Sequence, residues 1–143
     1  MTSPMVVLDT NVISEMTRSA PESNVVAWYQ RQDSASLFTT TVTLAEVFYG
    51  LNLLPEGSRR DQLSRFADDF FRQEMAGKIL SFDETAAIHY ATIRAAKRRL
   101  GLSMSAFDAQ IAAIAVAAGA TVATRNVSDF EHCGITVVNP WIA

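Results

Sequence analysis

A chain of 143 residues, 49% apolar and 19% charged, has the size and balance of one ordinary globular domain, which excludes a disordered or low-complexity protein. Its net charge of −3 weakens a nucleic-acid-binding reading without excluding it, since acids that hold cations and a local basic patch can still engage phosphates. A single cysteine, Cys133, excludes an intrachain disulfide and a multi-cysteine zinc site. With no secretory signal and no apolar run near the ~20 residues of a membrane span, a cytoplasmic location without membrane contact is expected.

Met5 to Leu8 is a short apolar run that ends on Asp9, so Val6–Leu8 reads as a first strand, with Asn11–Met16 turning into a short helix. Pro21 to about Gln32 reads as a second helix, with proline at its first position and Val25, Trp28 and Tyr29 on one face. Leu37–Thr40 is β-prone. Thr43-Leu44-Ala45-Glu46 has the form of a capping box opening a helix to about Leu54. Helices are expected from about Arg59 to Met75, from Glu84 to about Leu100 behind an Asp83 cap, and from Ser105 to Ala118 before Gly119. Ile79–Phe82, Thr121–Thr124 and Ile135–Val138 are the remaining strands. Strands alternating with helices indicate an α/β fold, a central and mainly parallel sheet flanked by helices. No repeat or linker divides the chain.

The sharpest signal is where charge is missing. Asp9 is the only charged residue from Met1 to Ser14, Glu46 the only one from Ser34 to Pro55, and Asp108 the only one from Leu100 to Thr124. Ionised acids in apolar surroundings are costly unless paired or bound to a metal, and each of these lies at the end of an element. Each also has a plainer reading. Glu46 and Asp108 fit the third position of capping boxes begun by Thr43 and Ser105, and Asp9 can cap the helix that follows it. Taken together, three lone acids without a nearby histidine or cysteine point to a hard cation, Mg²⁺ or Mn²⁺, rather than zinc.

The order of four segments resembles PIN-domain ribonucleases, specifically VapC-type toxins of type II toxin–antitoxin pairs and the related FitB-like proteins. The segments are Val7 to Glu15; Thr43 to Glu46 with Gly50; Phe107 to Ala113; and Ala123 to Phe130, continuing from Val138 to Trp141. The resemblance implies one PIN domain over residues 1–143. It further implies a cleft in which Asp9, Glu46 and Asp108 are metal-binding catalytic acids. Members of the family carry a fourth acid at the position of either Asn126 or Asp129; Asp129 is assigned here, with a salt bridge or turn role as its alternative. Thr10, Asn11, Thr124 and Asn126 are implied to orient the ligands or their waters.

On this reading a metal-activated water hydrolyses RNA, leaving a 5′-phosphate without using the substrate's 2′-hydroxyl. The family further implies a small VapB-like antitoxin that blocks the cleft, a homodimer and a larger toxin–antitoxin assembly. An apolar surplus in the Thr43–Leu54 helix (Val47, Phe48, Tyr49, Leu51 and Leu54) suggests the groove for such a partner. Arg94, Lys97, Arg98 and Arg99 form the densest basic run, either an RNA grip or a solvated helix face. His89 and the His132–Cys133 pair are read as structural, as are Trp28, Phe70, Phe71 and Trp141. Two rival readings share these residues: a non-catalytic PIN-fold binding module whose acids are caps, and a DNA-directed nuclease with the same metal site. Phosphotransfer on Asp9 fits less well, because Asn11 stands where haloacid-dehalogenase-like phosphatases need a second aspartate.

Overall fold

The computed structural model describes residues 4–143. Five parallel strands form its centre: β1 (Val6–Leu8), β2 (Leu37–Thr40), β3 (Ile79–Leu80), β4 (Thr121–Ala123) and β5 (Val137–Val138). Their order is β3-β2-β1-β4-β5. Val6 pairs with Leu37 on one side and Thr121 on the other, which places β1 in the middle. The chain therefore builds outward from β1 to β3, then crosses to the opposite side for β4 and β5. In open parallel sheets the crevice at such a reversal, outside the carboxyl ends of the strands, is where ligands bind. Asp9 lies at that point.

The helices are α1 (Thr10–Met16), α2 (Ser23–Arg31), α3 (Thr41–Leu53), α4 (Ser58–Asp69), α5 (Glu84–Arg99) and α6 (Ala106–Ala118). Two apolar cores sandwich the sheet, and alternation along β1 feeds both. Val6 and Leu8 join a core with Ile13, Trp28, Phe70 and Phe71, while Val7 turns to the opposite core with Ile93, Ile111, Ile114 and Val122. A strand buried on both faces reads as an unbroken apolar run, as Val6–Leu8 does. Helix α6 is unusually apolar because Ala109, Ala112, Ala113 and Ala115 are all fully buried. Their small side chains let it lie close to both α5 and the sheet. Gly119 ends it with φ +66°, a left-handed turn open to glycine at little steric cost.

Several expected boundaries move. Pro21 stands outside α2, whose N-cap is Glu22 without a side-chain cap bond. Helix α3 is capped by Thr40, which accepts from the Thr43 amide at 3.0 Å, so Thr43 is not the cap of a Thr43–Glu46 box. The helix expected to run from Arg59 to Met75 is α-helical only to Asp69 and then widens into a π-turn over Phe70–Glu74, with the Met75 amide donating to the Phe70 carbonyl at 2.8 Å. That widening buries both Phe70 and Phe71, whose rings meet edge to face at 5.1 Å. The strands expected over Ile79–Phe82 and Ile135–Val138 are two residues long, and Thr124 lies just past β4. Among the described residues no helix is long and apolar enough to cross a membrane.

Candidate active site

Backbone pairing delivers Asp9 to the carboxyl end of the sheet: its amide donates to the Ala123 carbonyl at 2.9 Å, locking the end of β1 beside the end of β4. The side chain is 4% exposed and both oxygens are occupied. Oδ1 accepts from the Thr10 amide at 2.8 Å, which makes Asp9 the cap of α1, and Oδ2 accepts from the Thr124 hydroxyl at 2.8 Å. Thr124 Oγ1 itself accepts from Asn11 Nδ2 at 3.2 Å and from the Asn126 amide at 3.0 Å. With its two lone pairs taken, the buried hydroxyl has only its proton left, and that proton must point to Asp9. Thr124 and Asn11 thus hold the aspartate in one orientation, and the Asn126 backbone completes the arrangement.

Glu46 reaches the same crevice from α3 through a second threonine network. Thr10 Oγ1 donates to Glu46 Oε1 at 2.9 Å and is bonded to the Thr43 hydroxyl at 3.2 Å, which in turn meets Thr40 Oγ1 at 3.3 Å. Thr40 and Thr43 are fully buried. Their role is not readable from the linear pattern, which matched Thr43 to a cap. The run Thr39-Thr40-Thr41 before Thr43, four hydroxyls at the end of a strand, is the signal that something polar is buried there.

Asp108 stands in the first turn of α6, where the Ser105 hydroxyl accepts from its amide at 3.1 Å. The expected Ser105 cap is therefore present, and it coexists with a carboxylate turned toward the other acids. Asp129, half-buried, lies in a 3₁₀ turn over Val127–Phe130. Asn126 precedes that turn and is exposed.

Electrostatics ties the four acids together. Burial pushes the Asp9 carboxyl up to about 6 against the pull of its Thr124 and Thr10 hydrogen bonds, and the charges of Asp108 and Glu46 add to the rise. Burial also raises Asp108, opposed by its Ser105 hydrogen bond and reinforced by the charge of Asp129. Asp9 thus senses two acids and Asp108 senses a third. Among the described residues no three such groups are drawn into a closed ligand set. They repel as neighbours around a shared crevice. An all-oxygen donor set of mutually repelling carboxylates, one of them buried without a cationic partner, fits a hard divalent cation.

The other candidates sort differently. Lys97, expected in an exposed basic run, is 3% exposed and its ammonium donates to the Asp129 carbonyl at 3.1 Å. Only Arg94, Arg98 and Arg99 of that run face outward, and Arg94 is engaged with the Met104 carbonyl and the Tyr90 ring. The Cys133 thiol is buried against the Glu131 carbonyl. Trp28, Phe70 and Phe71 are core residues, and Arg125 lies over the Trp141 ring at 5.3 Å. The groove expected on α3 forms only in part: Phe48 packs against Phe71, and Tyr49 faces a separate pocket with Phe82 and Phe107. Val47, Leu51 and Leu54 line a groove of about 240 Å³ with Ile13, Leu63 and Phe66, and Thr10 and Glu46 are also part of its lining.

Comparison with known proteins agrees with this architecture. Residues 6–134 match the PIN domain model. The chain is 39% identical to the VapC ribonuclease Y4jK of Sinorhizobium fredii over 96% of this chain and 98% of that protein. It is 38% identical to toxin FitB of Neisseria gonorrhoeae over 96% and 99% of the two. A structure of FitAB bound to an IR36 DNA fragment superposes with a TM-score of 0.91 at 38% identity, covering 96% of each chain. With the domain model, the sequence identities and the superposition each covering nearly its whole length, the chain belongs to the PIN-domain family, among the VapC- and FitB-type toxins.

Proposed function

We propose that this protein is a divalent-metal-dependent endoribonuclease that hydrolyses RNA phosphodiester bonds as the toxin of a toxin–antitoxin pair. The observation that carries the reading is Asp9, a buried carboxylate without a cation beside it, raised further by the charges of Glu46 and Asp108. The identity to a VapC ribonuclease supports the reaction class.

Asp9, Glu46, Asp108 and Asp129 would hold the ion. When bound, Mg²⁺ or Mn²⁺ supplies positive charge that lowers the pKa of water and offsets charge on the reacting phosphate. The chain's own residues orient the site. Thr124 and the Thr10 amide hold Asp9, the Thr10 hydroxyl holds Glu46, and Ser105 fixes the turn that carries Asp108. Water forms the new bond to phosphorus as the bond to the 3′-oxygen breaks, leaving a 5′-phosphate and a 3′-hydroxyl. No side-chain base is required, and none is placed here.

The partner is a small VapB-like antitoxin. Its apolar segment would lie in the groove between α1, α3 and α4, whose lining includes Thr10 and Glu46, so that binding would reach the acid cleft at Glu46. The likeness to a chain solved in a FitAB complex supports a protein partner. A homodimer and a larger toxin–antitoxin assembly in the cytoplasm complete the proposal.

The decisive assay is cleavage of RNA with and without Mg²⁺ or Mn²⁺. Cleavage is expected with metal and is expected to vanish in excess EDTA, in Asp9→Asn and in Asp108→Asn. Undiminished cleavage in EDTA would refute the metal role. Cleavage of single-stranded DNA at an equal rate would refute RNA as the dedicated substrate.

A further inference from the structure

Lys97 is a buried cation whose partner is not a carboxylate. It lies in the last turn of α5, is 3% exposed, and its Nζ donates to the backbone carbonyl of Asp129 at 3.1 Å. Neither ion pair among the described residues involves it, since these join Arg18 to Glu15 and Arg72 to Asp68. A buried ammonium is expensive unless it is well bonded, so a fold that keeps one has a use for it. An apolar residue would fill the same space at less cost.

Its surroundings suggest the use. The Asp129 carbonyl belongs to the Val127–Phe130 turn, which is closed by the Asp129 amide on the Asn126 carbonyl, tethered at one end by the Asn126 amide on Thr124 and anchored by fully buried Phe130. The turn's side chain of interest is Asp129, whose charge acts on Asp108. The base of Lys97 is itself fixed, because its own carbonyl accepts from the amides of Leu100 and Leu102 at 3.1 and 2.9 Å. A rigid cation thus grips the backbone of the residue whose carboxylate must face the other acids. The charges of Lys97 and Asp108 both act on the Cys133 thiol, the one lowering and the other raising it.

We infer that Lys97 is a positioning residue, whose buried ammonium clamps the Asp129 carbonyl so that the Asp129 carboxylate stays in reach of a cation shared with Asp108. The inference rests on the metal-site reading above. Partners behind metal ligands typically change metal affinity by about 10–100-fold, and this one acts through backbone rather than through a side chain.

A double-mutant cycle in Mn²⁺ affinity, measured by calorimetry on the full chain, tests it. Lys97→Met is expected to weaken Mn²⁺ binding about tenfold in the native background and less than about twofold when Asp129→Asn is already present. An equal loss in both backgrounds, or no loss in either, overturns the inference. Should Lys97→Met fail to fold, Lys97→Arg serves, with a smaller loss confined to the Asp129 background expected and an equal loss in both overturning. If Asp129→Asn alone leaves Mn²⁺ affinity unchanged while Asp9→Asn abolishes it, the clamp is refuted and the Asp9 site stands. If the native protein does not bind Mn²⁺, the metal-site reading fails and takes the clamp with it.

Discussion

At the scale of single residues, the fold keeps Asp9 in a state that opposes stability. Its carboxyl is raised from 3.8 to about 6, chiefly by burial, so the folded state holds a proton more tightly than the unfolded chain does. The unfolded chain binds fewer protons between pH ~4 and ~6, and stability from this group therefore falls as pH rises through that window, by about 3 kcal/mol in total. The gap in melting temperature between the native protein and Asp9→Asn, without metal, should widen in favour of the variant from pH 4 to 6 and stay constant above. A gap independent of pH would refute the assignment. Mn²⁺ needs the ionised form, so its affinity should weaken as pH drops through 6. Thr124→Val offers a second check. It strips a hydrogen bond from Asp9 and leaves Asn11 Nδ2 and the Asn126 amide without their acceptor. A loss of about 1–3 kcal/mol in urea unfolding is expected, with the Asp9 carboxyl rising further, while Thr124→Ser should retain most of both.

At the scale of elements, α6 and α3 show how local rules and site demands coexist. Ser105→Ala removes the cap of α6 and should cost about 1 kcal/mol in denaturant unfolding. It should also reduce cleavage, because the first turn of α6 carries Asp108. Ala113 is fully buried where α6 meets its neighbours, so Ala113→Leu should destabilise by about 1–3 kcal/mol through overpacking. Most of α6 was legible in the sequence: a Ser-x-x-Asp start, an alanine-rich apolar run and a glycine stop. The start of α3 was not. Two threonines three residues apart, Thr40 and Thr43, both satisfy the cap pattern, and Glu46 completes a capping box with the wrong one. Only the position of Thr10 on α1 decides that Glu46 is held by a hydroxyl from another helix.

At the scale of the whole molecule, the groove between α1, α3 and α4 adjoins the acids through Glu46, and on the proposed function its α4 wall serves partner binding alone. Leu63 lines it from α4, and the acids come from other elements. Leu63→Asp should weaken binding of the cognate antitoxin by about tenfold or more in calorimetry while RNA cleavage stays within about twofold of native. Equal losses of both would show that the groove and the site are not separable. On the proposed function, the net charge of −3 leaves RNA binding to the metal and to a few outward arginines, so cleavage should fall less steeply with added monovalent salt than in a broadly basic nuclease.

By itself the sequence determined the layered α/β arrangement, because a both-faces-buried strand reads as an apolar run and amphipathic or alanine-rich helices have their own periods. It also marked Asp9, Glu46 and Asp108, because a lone acid in a neutral stretch is conspicuous whatever the fold. Tertiary structure alone decided what those acids touch. The Thr10 hydroxyl bonded to Thr43 and Glu46, the Thr124 hydroxyl aimed at Asp9 and the burial of Lys97 against Asp129 join residues 32 to 115 positions apart. A hydroxyl or an ammonium looks the same in a sequence whether it faces water or a buried oxygen. Burial changes its energetics, and burial is set only when the sheet reverses direction beside β1.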